Sequence, residues 1–113
     1  MITVNVDKRE PGIRRNLFIC KFYDHTGGNL DHIRNFADTA RNWGFNDAEI
    51  RYYTKYFEDE GYIQIEGITK GEMMPTLPKL TASGIKHVEG IKCKKAEELA
   101  KGLNKIDVDV EFE

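Results

Sequence analysis

Apolar positions recur at helical spacing in two successive stretches near the start of the chain. The first stretch runs from Ile13 to about His25, and a glycine pair at Gly27 and Gly28 follows it. The second stretch runs from a capping residue, Asn29, to about Trp43. Gly44 then suits the left-handed conformation that often ends a helix. The spacing therefore predicts two helices separated by a short glycine turn.

A third helix is indicated by residues at both of its ends. Asn46 stands three residues before Glu49, which is the spacing of a capping box. The helix is predicted to run to about Glu60 and to stop at Gly61. Only residues 44–46 separate the second helix from the third, which is the short connection of a helix-turn-helix.

Alternating polar and apolar residues then predict a β-hairpin and a fourth helix. The first strand covers Tyr62–Glu66, residues Gly67–Gly71 form the loop, and Met73–Leu80 returns. Either Thr81 or Ser83 could cap the next helix, which would reach about Gly90.

Both ends of the chain add elements outside this helical and hairpin pattern. Residues 2–6 alternate between apolar and polar side chains and predict a short strand, which the break at Pro11 keeps from continuing. Residues 106–112 alternate in the same way and predict a second strand with one wholly acidic face. A fifth helix is predicted over Lys92–Asn104, between the fourth helix and the C-terminal strand. Unpaired strand edges invite pairing with each other, with the hairpin or with a second copy. We therefore expect a homodimer with residues 96–112 in its interface.

Length and composition indicate one globular domain over residues 1–113. The chain is 40% hydrophobic and 32% charged, and it holds no apolar run near the ~18 residues of a membrane span. Its first residues are too polar for a signal peptide. Cys20 and Cys93 have no CxxC or Cys/His spacing, so they are expected to be free thiols in a reducing cytoplasm.

The search for catalytic or metal-binding motifs finds no pattern that carries chemistry. His25, His32 and His87 lack the spacing of metal ligands, and Gly27 and Gly28 lack the lysine of a phosphate loop. We therefore expect neither an enzyme nor a bound cofactor.

Two segments resemble parts of the winged helix-turn-helix superfamily, specifically MarR/PadR-like and phage-derived YjcQ-like small domains. Residues Phe57–Ile63 read FEDEGYI and resemble the end of a recognition helix leading into a wing. Residues Leu80–Gly84 read LTASG and resemble the start of the closing helix. The resemblance covers about residues 13–90 and implies an α+β fold: a winged helix-turn-helix, mainly helical, with a β-hairpin wing and extra short N- and C-terminal strands.

The resemblance also implies a function, namely binding of double-stranded DNA by a transcription regulator. The third helix would enter the major groove, and arginine, lysine and tyrosine side chains would contact bases and phosphates. The residues expected in this interface are Arg34, Arg41, Arg51, Tyr52, Lys55 and Lys70.

The charge pattern supports an alternative function, a winged-helix module that binds protein without nucleic acid. The net charge is −2, and the predicted wing carries Glu66 and Glu72 beside Lys70. DNA-binding domains are more often basic. A negative or neutral outer face on residues 47–55 would favour this alternative.

Overall fold

A computed structural model describes the backbone of residues 3–91 and of Cys93, and the side chains of residues 12–91 and of Cys93. This part of the chain is an α+β domain whose elements follow one another as α1 (Thr3–Thr26), α2 (Phe36–Asn42), α3 (Asp47–Asp59), β1 (Ile63–Gln64), β2 (Gly67–Ile68), β3 (Pro75–Thr76), β4 (Lys79–Leu80) and α4 (Ala82–Glu89). The predicted helix over Lys92–Asn104, apart from Cys93, and the predicted strand over residues 106–112 lie outside the described residues.

The predicted hairpin is confirmed, with a shorter loop than expected. Ile63 in β1 lies opposite Leu80 in β4, and Gly67 in β2 lies opposite Thr76 in β3, both in antiparallel pairs. The two ladders keep one register and so form a single interrupted hairpin. The expectation that Gly67 and Ile68 belong to the loop is therefore wrong, because both residues pair with β3.

An aromatic cluster holds the helices together. Phe18 in α1 is fully buried, and its ring lies 5.2–6.5 Å from five other aromatic rings. Those rings come from α2, α3 and the turn between them, so one side chain joins three elements. The buried apolar core comprises Phe18, Ile19, Cys20, Phe22, Ile33, Phe36, Ala40, Phe45, Ile50, Tyr53, Phe57, Ile63, Met74, Leu80 and Val88.

The predicted caps of the third and fourth helices are confirmed. Asn46 accepts a hydrogen bond from the Glu49 amide at 2.8 Å, and the Glu49 carboxylate accepts one from the Asn46 amide at 3.1 Å. Gly61 has a φ of +82° just beyond α3. Thr81 accepts a hydrogen bond from the Gly84 amide at 3.0 Å. Local sequence therefore determines where α3 and α4 begin.

The close packing at Gly84 explains why the LTASG segment has a glycine within its helix. A Cβ at this position would overlap the carbonyl oxygen of Tyr62. The first turn of α4 thus packs directly on the backbone at the start of the hairpin. The Thr81 amide donates to the same Tyr62 oxygen at 3.0 Å, so both contacts fix the angle between α4 and β1.

The strand predicted over residues 2–6 is wrong from Thr3 onward, because α1 is continuous from Thr3 to Thr26. Proline removes one helical hydrogen bond and bends a helix, but Pro11 does not end this one. The alternation of Val4 and Val6 covers too few residues to specify a strand, and neither of these residues pairs with a strand of the described chain.

The second helix is shorter than predicted, since α2 begins at Phe36 and not after Asn29. Residues 30–33 are not helical, and Leu30 is 52% exposed. The Ile33 amide instead donates to the Pro78 carbonyl at 2.9 Å. This segment therefore lies along the hairpin where its two ladders are interrupted.

The expectation of free thiols is also wrong, because Cys20 and Cys93 form a disulfide. Their Cα atoms are 5.8 Å apart, within the usual range for such bonds. The two cysteines are separated by 73 residues, so their proximity depends on how α1 packs against the end of α4. That contact leaves no trace in local sequence spacing.

Candidate nucleic-acid interface

Helix α3 exposes one polar strip to solvent. Ala48, Arg51, Tyr52 and Lys55 are exposed, and Asp47 is half-buried. The opposite face, formed by Ile50, Tyr53, Thr54 and Phe57, is buried. The exposed strip includes Arg51, Tyr52 and Lys55, three of the residues expected to contact DNA.

The hairpin lies beside this strip and contacts Arg51. The Arg51 guanidinium donates to the Glu72 carbonyl oxygen at 3.3 Å and lies 3.7 Å from the Met74 sulfur. Arg51 forms no ion pair with any other residue in the part of the chain that the structure describes. Its charge therefore stays available to an anion while its position is set by the hairpin backbone.

Arg41 has a different environment, because three carboxylates contact its guanidinium. The guanidinium pairs with Asp47 at 2.7 Å, with Asp38 at 2.9 Å and with Glu72 at 3.4 Å. The hydrogen bond to Asp47 raises the pKa of Arg41, and the same hydrogen bond lowers the pKa of the Asp47 carboxyl group. The cluster ties α2 to the start of α3 and to the hairpin, and it leaves Arg41 little free charge for phosphate.

Lys55 forms ion pairs that an incoming anion could replace. Its Nζ lies 3.3 Å from Asp59 and 4.0 Å from Glu58, and its side chain is 68% exposed. Exposed pairs of this kind contribute about 0–1 kcal/mol to stability because water and salt screen them. The ammonium group could therefore exchange its carboxylate partners for phosphate at low cost.

The remaining predicted contact residues are spread over the surface. Arg34 is exposed in the turn before α2, and Lys70 is exposed at the tip of the hairpin. Neither forms an ion pair with a described residue. Tyr52 is 59% exposed, and its ring makes an edge-on contact with the Tyr53 ring at 5.7 Å. The structure thus brings together Arg51, Tyr52 and Lys55 on α3 and leaves Arg34 and Lys70 on separate loops.

The start of α3 is anchored by a bidentate ion pair that sequence spacing did not indicate. Arg14 in α1 contacts the two Glu49 carboxylate oxygens at 2.6 and 3.0 Å and donates to the Gly44 carbonyl at 3.0 Å. Burial raises the pKa of Glu49, but the hydrogen bonds from Arg14 and from the Asn46 amide outweigh it, so the pKa is lowered. Helix α1 therefore helps to orient α3 through an ion pair between residues that are 35 positions apart in the sequence.

Formal charges on residues 47–55 cancel, since Asp47 and Glu49 oppose Arg51 and Lys55. Both acids form ion pairs with arginines outside this range: Asp47 with Arg41, and Glu49 with Arg14. Arg41 in turn draws two further carboxylates to the same side. The formal charges of residues 47–55 balance, Glu58 and Asp59 add carboxylates beside Lys55, and Arg51 is a local positive group.

A small groove separates α3 from the hairpin, and we call it the α3–hairpin groove. It has a volume of about 210 Å³ and is lined by Arg51, Thr54, Lys55, Glu58, Ile65, Ile68, Met73 and Pro75. Ile68 and Met73 are 54% and 59% exposed. Thr54 is buried, and its hydroxyl has no hydrogen-bond partner among the described residues. Sequence reasoning missed this groove because Ile68 fell in a predicted loop.

Comparison with family models, curated proteins and solved structures finds no match. Within the described residues, no helix has both the length and the apolar character needed to cross a membrane. The same residues include no group of three His, Cys, Asp or Glu side chains that could hold a metal ion.

Proposed function

We propose that this chain is a winged helix-turn-helix protein that binds double-stranded DNA and acts as a transcription regulator. Helix α3 would enter the major groove as the recognition helix, and the hairpin would act as the wing. We further propose that the protein is a homodimer that presents two copies of α3, with residues 96–112 contributing to the interface.

One observation carries this proposal: a solvent-exposed strip of α3 lies beside an antiparallel hairpin that contacts the same helix. The strip presents Arg51, Tyr52 and Lys55, which suit contacts to bases and phosphates. The hydrogen bond from Arg51 to the Glu72 carbonyl holds the arginine between helix and hairpin. An arginine held in place loses less conformational entropy when it binds.

The available cations set a limit on the electrostatic contribution to binding. Arg34, Arg51 and Lys70 form no ion pair with a described residue, and Lys55 forms only exposed pairs. Arg41, in contrast, would first have to leave three carboxylates. Each phosphate neutralised contributes about −0.9 to the slope of log K against log salt. We expect a slope of roughly −3 to −4 per chain, which is modest for a DNA-binding protein.

Titration of a mixed-sequence DNA duplex, followed by fluorescence anisotropy across a salt series, tests the proposal. Arg51→Ala should weaken binding by about 1–3 kcal/mol if the residue reads a base, and by less if it contacts only phosphate. Lys86→Ala is the matched control, because Lys86 is an exposed cation on α4 and should leave the affinity unchanged. The same titration should give two chains per duplex.

A specific observation also favours the second candidate function, a module that binds protein without nucleic acid. The face of residues 47–55 is electrically balanced, and the apolar side chains of Ile68 and Met73 are exposed beside it. Absence of duplex binding by the folded protein at low salt would contradict the DNA proposal. That result, together with a captured protein partner whose binding is lost in Met73→Glu, would support the module.

A further inference from the structure

Helix α1 brings one further cation to the edge of the exposed strip on α3. The Arg15 guanidinium lies 4.4 Å from the centroid of the Tyr56 ring, which is the geometry of a cation–π contact. Both side chains are half-buried, so the guanidinium keeps contact with solvent. Arg15 forms no ion pair with a described residue. The aromatic ring therefore sets the position of this arginine without neutralising its charge.

Helical geometry places Arg15 across α3 from the hairpin. Successive residues of an α-helix are about 100° apart around its axis. Tyr56 follows Arg51 by five positions, so their side chains leave α3 roughly 140° apart. Tyr52 and Lys55 leave the helix between these two directions. Arg51 is held on the hairpin side by a backbone carbonyl, and Arg15 is held on the α1 side by an aromatic ring.

The ion pairs of Lys55 make these two arginines the main unpaired cations beside α3. Lys55 lies within 4.0 Å of both Glu58 and Asp59, so two carboxylates stand against one ammonium group. Arg15 and Arg51, in contrast, have no carboxylate partner in the part of the chain that the structure describes. Two separated positive groups therefore flank a strip whose centre has no excess of positive charge.

The major groove of DNA presents negative charge in a matching arrangement. An α-helix with its side chains is about 10–12 Å wide, close to the groove width of about 12 Å. A helix in the groove therefore has one phosphate backbone on each side. We propose that Arg15 binds a phosphodiester group of the strand on the α1 side, while Arg51 faces the strand on the hairpin side. This inference rests on the proposed function and extends its DNA interface onto α1.

The salt dependence of duplex binding by the full chain tests this role of Arg15. The probe is the mixed-sequence duplex, and circular dichroism checks that each variant is folded. Arg15→Gln should make the slope of log K against log salt less negative by about 0.9 and weaken binding roughly tenfold at about 0.1 M salt. Arg15→Lys keeps the charge and should restore most of the slope. Lys86→Gln is the matched control, because it removes an exposed cation on α4 and should keep the wild-type slope.

Variants of Tyr56 test whether the ring positions the arginine. Tyr56→Phe keeps the ring face and should bind the duplex as the wild type does. Tyr56→Leu removes the ring and should weaken binding by roughly two- to fivefold, the range of an exposed cation–π contact. Combining Arg15→Gln with Arg51→Ala should change the slope by the sum of the two single effects, because the two arginines face different strands.

The possible results separate this inference from the proposed function. If the wild type binds the duplex and Arg15→Gln keeps the wild-type slope and affinity, the phosphate contact is overturned and the proposed function stands. An Arg15→Gln protein that loses the same affinity at every salt concentration also overturns the contact, since that pattern indicates a structural role. Absence of duplex binding by the folded wild type at low salt defeats the proposed function, and the role of Arg15 falls with it.

Discussion

The helices and the hairpin differ in how far their apolar side chains are exposed, although the hairpin also buries Ile63, Met74 and Leu80. On the helical side, Phe18, Phe22 and Phe57 each expose at most 1% of their surface to solvent. On the hairpin side, Ile68 and Met73 expose more than half of theirs. Met73 also adopts a φ of +59°, which is uncommon for a residue with a side chain.

This difference separates residues that stabilise the fold from residues that can stabilise a complex. Buried apolar surface contributes about 25 cal/mol per Å² in the free protein. Exposed apolar surface contributes that free energy only when a partner covers it, and clustered exposure often marks a binding site. We therefore expect substitutions on the two sides to affect different measurements.

The largest expected effect tests this comparison directly. Phe18→Ala should reduce the free energy of unfolding by about 3–5 kcal/mol, because it leaves a cavity at the centre of the aromatic cluster. Met73→Ala should change the same quantity by less than about 0.5 kcal/mol, as is usual for exposed positions. Urea denaturation followed by circular dichroism measures both. Equal losses in the two variants would show that Met73 contributes to the stabilising core.

The disulfide is expected to give the next largest effect. Linking residues 73 apart restricts the unfolded chain, and such bonds contribute about 2–4 kcal/mol to stability. Reduction should therefore lower the free energy of unfolding by an amount in that range. Cys93→Ala is the control, because the variant lacks the bond and its stability should not respond to reductant. Unchanged stability of the wild type on reduction would contradict the prediction.

A smaller effect is expected at the junction between the two sides. Gly84→Ala should destabilise the protein by about 1–3 kcal/mol, because its Cβ would overlap the Tyr62 carbonyl and push α4 away from β1. Gly90→Ala is the matched control, since the nearest atom lies 3.5 Å from its Cβ and its φ is −85°. It should leave stability within about 1 kcal/mol of wild type. Unchanged stability of Gly84→Ala would contradict the prediction, because it would mean that α4 can move away from Tyr62 without loss of stability.

The elements predicted correctly from sequence are those specified by neighbouring residues. Asn46 and Glu49 cap α3 through each other, and Thr81 caps α4, so these helices can be located without knowledge of the fold. The start of α2 could not be located in this way. The Ile33 amide bonds to Pro78, which lies 45 residues further along the chain, and this tertiary contact overrides the helical spacing of residues 29–33.

The same distinction applies to the candidate site. The exposed strip of α3 follows from helical periodicity, so Arg51, Tyr52 and Lys55 could be identified as outward residues. The three carboxylates around Arg41 come from α2, α3 and the hairpin, and no local pattern brings them together. Whether a charged residue is free or paired depends on such long-range contacts.

The smallest expected effect concerns the ion pair that joins α1 to α3. The pKa of Glu49 is lowered in the folded protein, so the carboxylate stabilises the fold at pH values above its ordinary, unfolded pKa. This stabilisation is lost as the pH falls through the lower, folded pKa. Arg14→Met removes the partner and should reduce the loss of stability on acidification. Because the pair is partly exposed, we expect a difference of at most about 1 kcal/mol.

Urea denaturation of both proteins at neutral pH and at a series of acidic pH values checks this prediction. Lys86→Met serves as the control, because Lys86 is exposed on α4 and forms no ion pair with a described carboxylate. Its stability should follow the wild-type pH dependence. If Arg14→Met and wild type lose the same free energy of unfolding on acidification, the Arg14–Glu49 pair does not stabilise the start of α3. The orientation of the exposed strip would then depend on the aromatic cluster and on the ion pairs of Arg41.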